Sequence, residues 1–229
     1  GAKLRENNIP LLSLETATPL KYFDVVGFSV QFELLYSNFL YMLDLANIPF
    51  YAKDRGEEYP IICAGGPCAV NPEPFAPFCD CVLIGEGEEM DLALLKLVAD
   101  GKEKGWTKTQ ILEKAKEIEG VYVPSMLGEG EKVVKAVVKD FENAPYPTKP
   151  LVPNIEIVHD RATLELYRGC ASGCRFCQAG YYYRPIRERS PEKCAEYGKK
   201  MIDSTGFGEI SLCSLSTSDY TGLMDLERE

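Results

Sequence analysis

Through residue 142 the apolar positions alternate between short continuous runs and stripes at helical spacing. DVVGFSV (Asp24–Val30) is a mainly apolar run of strand length and reads as a buried strand. It is followed by Leu34–Asn47, where Leu35, Phe39, Met42, Leu43 and Ala46 recur at helical intervals and Pro49 stops the helix. Pro60–Ala64 and Asp80–Ile84 predict two more buried strands, the first ending in Gly65-Gly66-Pro67 and the second in Gly85-Glu86-Gly87-Glu88. The stripe Met90, Leu94, Leu97 and Val98 predicts a helix over about Glu88–Asp100. Thr107 is placed to cap a further helix, with Gln110 at the capping-box position. Val121–Met126 and Lys132–Val138 flank LGEGE and predict a hairpin. Strand–helix–strand units with glycine-rich turns give an α/β, Rossmann-like doubly wound layer, here partial because about three strands are visible.

The pattern changes at NAPYPTKPLVPN (Asn143–Asn154). Four prolines in this stretch disfavour helix and central strand, so residues 143–158 are expected to be a linker between a domain at 1–142 and another at 159–229. RATLELY (Arg161–Tyr167) then predicts a strand running into a cysteine loop. Ser190-Pro191 is a helix start by cap and first-turn chemistry, the helix running to about Ser204 with Gly206 just past its end. GEISLC (Gly208–Cys213) predicts the next strand, before an acidic tail.

The chain of 229 residues carries a net charge of −10, unevenly spread. Residues 159–200 hold nine basic and five acidic side chains, the one basic island, against excess acid on both sides. This suits an anionic substrate or an acidic partner as well as it suits solvated surface arginines; RNA is a further possibility for such an island. With no apolar run of 18 residues and no leader pattern, a cytoplasmic protein without a membrane span is expected.

The chemistry concentrates in RGCASGCRFCQAG (Arg168–Gly180), where Cys170, Cys174 and Cys177 stand in C-x3-C-x2-C spacing. A structural zinc site wants four ligands, usually in two pairs, and Cys194, Cys213 and His159 lie at no paired spacing. A bacterial ferredoxin run would continue with C-x3-C-P, and Gln-Ala-Gly follows instead. Three thiolates fit a cubane cluster with one iron left open, and a zinc loop stays as the non-catalytic alternative. Gly169, Ala171, Ser172 and Gly173 are small, as a loop wrapped round a cluster requires, and Arg168 and Arg175 would offset its charge.

Spacing, the aromatic Phe176, the preceding strand and the following helix resemble the radical S-adenosylmethionine (SAM) enzymes, whose signature is C-x3-C-x-Φ-C with Φ aromatic. The resemblance implies a (β/α) barrel, of which this chain holds the first strands and helices. It implies a [4Fe-4S] cluster on Cys170, Cys174 and Cys177, with Phe176 beside the adenine of SAM and cleavage of SAM to a 5′-deoxyadenosyl radical. SLCSLSTSDY is similar to the strand end that meets the amino group of SAM, which makes Ser214 and Ser216 candidates; a Ser-rich turn is the plain reading. An electron donor such as a flavodoxin or ferredoxin is implied, the substrate is unknown, and a chain with an unfinished barrel is expected to turn over poorly.

GGPCAVNPEPFA and CVLIGEGEE are similar to turns of the cobalamin-binding domain that precedes the radical SAM core in one subgroup, the likeness being to its functionally uncharacterised members. This points to Gly65, Gly66, Gly85 and Gly87 as cofactor contacts and to cobalamin as a possible cofactor, with radical methyl transfer as an alternative activity. The single histidine, His159, lies outside that domain, so no histidine there can reach cobalt. Glu86, Glu88 and Glu89 satisfy their own helix dipole and argue against phosphate at that turn. Cys63, Cys68, Cys79 and Cys81 lack good zinc spacing, and Cys63 and Cys81 read as core. Arg184, Arg187 and Arg189 in YYYRPIRERSPE are either anion holders or surface arginines before a helix cap.

Overall fold

The computed structural model describes residues 1–128, 131–155 and 157–228. The chain divides into two compact units, Gly1–Val137 and Val138–Glu229.

The first unit begins with a short helix α1 (Ala2–Glu6) and is built on one sheet. Its strands β1 (Val25–Ser29), β2 (Ile61–Gly65), β3 (Cys81–Leu83) and β4 (Val121–Tyr122) lie in that order, parallel except for β4. Alternation along the strands splits the core into two layers. Val26, Phe28, Ile62, Ala64 and Val82 face α2 (Tyr36–Leu45), which buries Phe39 and Leu43. Ile61, Cys63, Cys81 and Leu83 face α3 (Gly87–Glu103) and α4 (Lys108–Ala115). Met42, expected in the stripe of α2, is 40% exposed: the layer is filled without it.

Local signals held well here. Thr107 accepts from the Gln110 amide and Gln110 reaches back to the Thr107 amide, the reciprocal capping box at the start of α4. Beside this cap a buried ion network fixes β2 and β3. Asp80 accepts from the Ile62 amide at 2.7 Å and from Arg55 at 3.0 Å, and pairs with Lys108 at 3.0 Å. Arg55 spends its remaining donors on the carbonyls of Pro49, Phe50 and Phe78, so its buried charge is hydrogen-bonded as well as paired.

The expected hairpin of Val121–Met126 with Lys132–Val138 is not formed; its turn residues 129 and 130 lie outside the described residues. Both arms turn instead to the backbone leaving β3. Ile84 N–H donates to the Gly120 carbonyl, Ala136 N–H to Ile84, and Glu86 N–H to Ala136, while β4 runs antiparallel to β3. The sheet edge offers these amides and carbonyls buried partners that a free hairpin would leave to water.

The second unit contains β5 (Ala162–Glu165), β6 (Tyr167–Arg168), α5 (Ala179–Tyr182), β7 (Arg187–Glu188), α6 (Pro191–Thr205), β8 (Ile210–Cys213) and the short α7 (Leu223–Leu226). β5 and β8 pair in parallel, Ala162 opposite Ile210 and Glu165 opposite Cys213, with α6 as the crossover. Ser190 caps α6 through the Lys193 amide, Pro191 takes its first position, and Gly206 closes it in the left-handed region at φ 75°. The expected strand Arg161–Tyr167 breaks at Leu166, because Tyr167 and Arg168 swing into an antiparallel pair with β7.

The start of the expected linker is packed within this second unit. Phe141 and Ala144 are buried. Tyr146 stacks on Tyr197 at 5.3 Å, donates its hydroxyl to the Thr163 carbonyl at 2.7 Å and accepts from the Glu165 amide at 2.9 Å. The apolar and aromatic residues between the prolines find a sheet edge and a helix to cover. Among the described residues no helix is long and apolar enough to cross a membrane.

Candidate functional site

Two sites emerge, one in each unit. In the second, β6 and β7 form a two-stranded stem from which the cysteine loop springs. Gly169 opens the loop at φ 95°, where an added Cβ would sit 3.0 Å from the Ile186 Cα. That close approach, together with the left-handed backbone, requires glycine. The Cys177 amide donates to the Cys174 carbonyl at 3.0 Å, which closes a turn between the two cysteines. Cys174 is exposed, Cys170 and Cys177 are half-buried, and all three are free thiols. The hydroxyl and then the amide of Ser172 hold the Cys170 thiol below its ordinary value, with Asp219 opposing. Phe176 projects into solvent, 93% exposed. No group of three potential metal ligands is clustered among the described residues.

The exit of β8 meets this loop. The Tyr167 hydroxyl donates to the Ser216 carbonyl, and the Tyr167 ring lies parallel to that of Tyr220 at 6.3 Å. Ser214 Oγ and Thr217 Oγ1 share a hydrogen bond of 2.9 Å. Thus Ser214 and Ser216 stand on the strand end nearest the cysteine loop, Ser216 through its backbone. Tyr167, Thr217 and Asp219 are neighbours of this site that sequence reasoning did not single out, and Ser172 was singled out only for its small size; Tyr167 was legible only as the end of a strand.

The arginines following the loop divide. Arg189 is an internal strut, 1% exposed. Its guanidinium lies 4.1 Å from the Phe141 ring centroid, with Tyr146 and Tyr197 beyond, and donates to the Phe141 and Glu142 carbonyls. It therefore holds no external anion. Its Nε and a second terminal nitrogen make no hydrogen bond, and the charge is balanced by Glu165, 3.9 Å from that terminal nitrogen, and by the aromatic cage. Arg187 spans the Phe141 ring and the Val138 carbonyl, while Arg184 is exposed above the Tyr181 ring at 4.8 Å. His159 is exposed beside Arg161.

In the first unit, Gly65, Gly66, Gly85 and Gly87 all line one cavity of about 480 Å³ on the α3 side of the sheet. Gly27 and Ser29 of β1 complete its floor, and Met90, Asp91 and Leu94 of α3 its wall. The glycines serve different ends. Gly66 at φ 101° and Gly85 at φ 121° are demanded by the backbone: an added Cβ would meet the Val30 oxygen at 2.8 Å and the Ala136 oxygen at 2.2 Å. Gly27 and Gly65 have ordinary room, their nearest contacts lying at 3.5 Å, so their missing side chains leave the groove open. Gly27 lies inside β1. Asp91 stands at the rim, where desolvation and the Glu88 charge raise its carboxyl above the ordinary range. Cys63, Cys68, Cys79 and Cys81 are all buried in the core. Burial pushes the Cys79 thiol up to about 12.

A sheet of this order followed by a parallel strand pair with a cysteine loop defines an α/β protein of two units. The family model described as the N-terminal part of radical SAM proteins matches residues 1–124, more than half of the chain, and the chain belongs to that family. Over 228 residues it is 27% identical to an uncharacterised protein of Methanocaldococcus jannaschii, covering 98% of this chain and 46% of that protein. Its fold is similar to that of OxsB, a cobalamin-dependent S-adenosylmethionine radical enzyme solved with aqua-cobalamin and S-adenosylmethionine bound. That match has a TM-score of 0.55 at 22% identity and covers 84% of this chain and 26% of that one. The chain thus spans less than half the length of either.

Proposed function

We propose that the chain is the leading part of a radical SAM enzyme in which Cys170, Cys174 and Cys177 hold a [4Fe-4S] cluster with one iron open to SAM. The observation that carries this reading is the loop itself: three free, accessible thiols on a glycine-pinned stem, at the end of a parallel strand and facing the end of its neighbour. The donor set fits, since soft thiolates favour iron–sulfur clusters and no fourth cysteine stands at a paired spacing. When bound, the cluster supplies one-electron cleavage of SAM to methionine and a 5′-deoxyadenosyl radical. The protein's part is to position. Gly169 fixes the loop on its stem, Ser172 favours the thiolate of Cys170, and the Ser214–Ser216 turn offers hydroxyls and carbonyls to an ammonium group. β5, α6 and β8 make the first repeat of a (β/α) barrel, whose reactive groups lie at strand carboxyl ends.

Anaerobic reconstitution tests the proposal. About four irons per chain, and a change in the reduced EPR signal on adding SAM, are expected. Stoichiometric zinc with no iron uptake would mark a metal-binding module instead.

The groove in the first unit favours a second reading, cobalamin binding, because Gly27 and Gly65 keep open a cavity that their surroundings would let a side chain fill. Cobalt would receive no histidine from this unit. Gly27→Val and Gly65→Val should abolish a cobalamin-induced absorbance change with the iron content retained; unaltered binding by both variants would reject the groove as the site.

A further inference from the structure

We propose that Cys63 and Cys81 form a dithiol under the groove of the first unit that undergoes thiol–disulfide exchange with a small, positively charged disulfide. The chemistry needs neither the cluster nor cobalamin. The two cysteines stand opposite one another in the register of the parallel strands β2 and β3, and both side chains face the α3 layer. Neighbouring strands lie about 4.8 Å apart, within the Cα separation of roughly 4.4–6.8 Å that a disulfide spans. Access is one-sided. Cys63 lines the cavity of about 480 Å³, whereas Cys81 is fully buried and takes no part in the lining. The opening is Gly27: a Cβ there would stand 3.5 Å from the Cys63 Sγ, so the absent side chain leaves that sulfur facing the groove. The hydrogen bond with Cys63, and then burial, hold the Cys81 thiol well above its ordinary range. Cys63 is thus placed to attack and Cys81 to resolve. Cys68 and Cys79 pack in the other layer of the core, against α2. Besides Ser29 and Asp91 the side chains of the groove are apolar or the Cys63 thiol, and among the described residues no basic one belongs to it. Asp91 at the rim therefore attracts a cation and repels an anion. Such a groove suits a short aliphatic disulfide that ends in ammonium groups.

In the first step the Cys63 thiolate attacks one sulfur of the small disulfide. The S–S bond breaks, and the released thiolate takes up the proton that Cys63 gave up. In the second step the Cys81 sulfur displaces the remaining small thiol from Cys63, and the Cys81 proton leaves with it. Two protein thiols are oxidised to one disulfide, and one small disulfide is reduced to two thiols. The test uses the full chain with Cys170, Cys174, Cys177 and Cys213 replaced by serine, so that every remaining thiol is buried. Cystamine is compared with its anionic counterpart 3,3′-dithiodipropionate, each rate being divided by that with N-acetylcysteinamide, a neutral free thiol. Mass spectrometry after chymotryptic cleavage at Phe75, which separates the two cysteines, should find Cys63 linked to Cys81 with Cys68, Cys79 and Cys194 still free. The corrected rate should be about tenfold higher for cystamine, and the preference should vanish in Asp91→Asn. Gly27→Val should slow cystamine about tenfold by covering the sulfur, and Cys81→Ser should stop at one cysteamine held on Cys63. The urea dependence of the rate without these further substitutions makes the test independent of how the variants fold. A rate flat through low urea marks entry by the groove; a rate that rises with the unfolded fraction overturns the proposal, as does a link that excludes Cys63 or Cys81. A groove that exchanges with cystamine and binds no cobalamin upholds this site and rejects only the cobalamin reading.

Discussion

The groove of the first unit is walled by backbone and by absent side chains, whereas the loop of the second works through side chains that protrude. Gly27 and Gly65 make the groove by what they lack, and Gly66 and Gly85 by the backbone they permit, on a sheet whose two faces are otherwise sealed by α2, α3 and α4. Cys170, Cys174 and Cys177 contribute almost nothing to packing; their loop stands on a two-stranded stem, and the buried core of that unit is built from Leu164, Leu166, Tyr197 and Tyr220. A site made of backbone is inseparable from the fold that carries it. A site made of exposed thiols can be removed without disturbing the fold.

The largest effect that follows is on the loop. Cys174→Ser should remove the bound iron and all 5′-deoxyadenosine formation while the folding midpoint in urea stays in place, because Cys174 is exposed. Iron analysis and a urea titration on the same sample check both halves; a Cys174→Ser protein that keeps its iron, or one that unfolds, breaks the contrast. In the groove the ordering reverses. Gly85→Ala should cost about 3 kcal/mol, since it combines positive φ with a Cβ 2.2 Å from the Ala136 oxygen. Gly27→Ala, with ordinary contacts, should stay within about 1 kcal/mol. Equal losses for the two variants would mean that both glycines open space and neither serves the backbone.

How much of this was legible beforehand follows the same division. The C-x3-C-x2-C spacing needs no tertiary knowledge, and neither do the capping box of Thr107 and Gln110 or the Ser190-Pro191 start of α6, because each is settled within one or two turns of chain. The four glycines were placed at the right sheet edge, yet one letter conceals two roles. Only the approach of Val30 and Ala136 distinguishes Gly66 and Gly85 from Gly65. Arg189 was misjudged for a similar reason. An arginine before a helix cap belongs by default in solvent, and its aromatic cage is assembled from Phe141 and Tyr146, nearly fifty residues upstream. The missing hairpin failed likewise, since the partner of Ala136 is the distant turn after β3.

Alkaline titration sharpens the contrast in a different way. Burial raises the Cys79 thiol to about 12, above the value of 9.0 for a free thiol. A folded-state value above the unfolded one gives stability that is whole below the unfolded value and is lost as pH rises through the folded one. The first unit should therefore lose about 3 kcal/mol by pH 11 through this thiol, and Cys79→Ala should flatten the slope. Tyr122, raised to about 12 by burial and by its bond to Glu73, acts in the same direction. A urea midpoint independent of pH between 9 and 11 would mean that the β3 side of the core admits water.

The smallest effect belongs to the frame of the cysteine loop. Ser190 caps α6 through the Lys193 amide, and its own amide and hydroxyl bind the two oxygens of Glu142 at 2.8 and 2.6 Å. The cap thereby ties the segment carrying Phe141 and Tyr146 to the helix that follows the loop. Ser190→Ala removes the cap and one bond to Glu142 but leaves the amide bond in place, so a loss of about 1 kcal/mol is expected in the second unit. Ser190→Asp would restore a cap acceptor while setting a second carboxylate against Glu142, so it should recover less than Ser190→Thr, which retains the hydroxyl. Urea unfolding of the three variants, followed by the fluorescence of a probe on Cys213 with Cys170, Cys174 and Cys177 replaced by serine and the buried cysteines shown to be unreactive, would read the order directly. Equal stability of Asp and Thr at this position would mean that the helix cap alone, and not the tie to Glu142, secures the frame from which the cysteine loop projects.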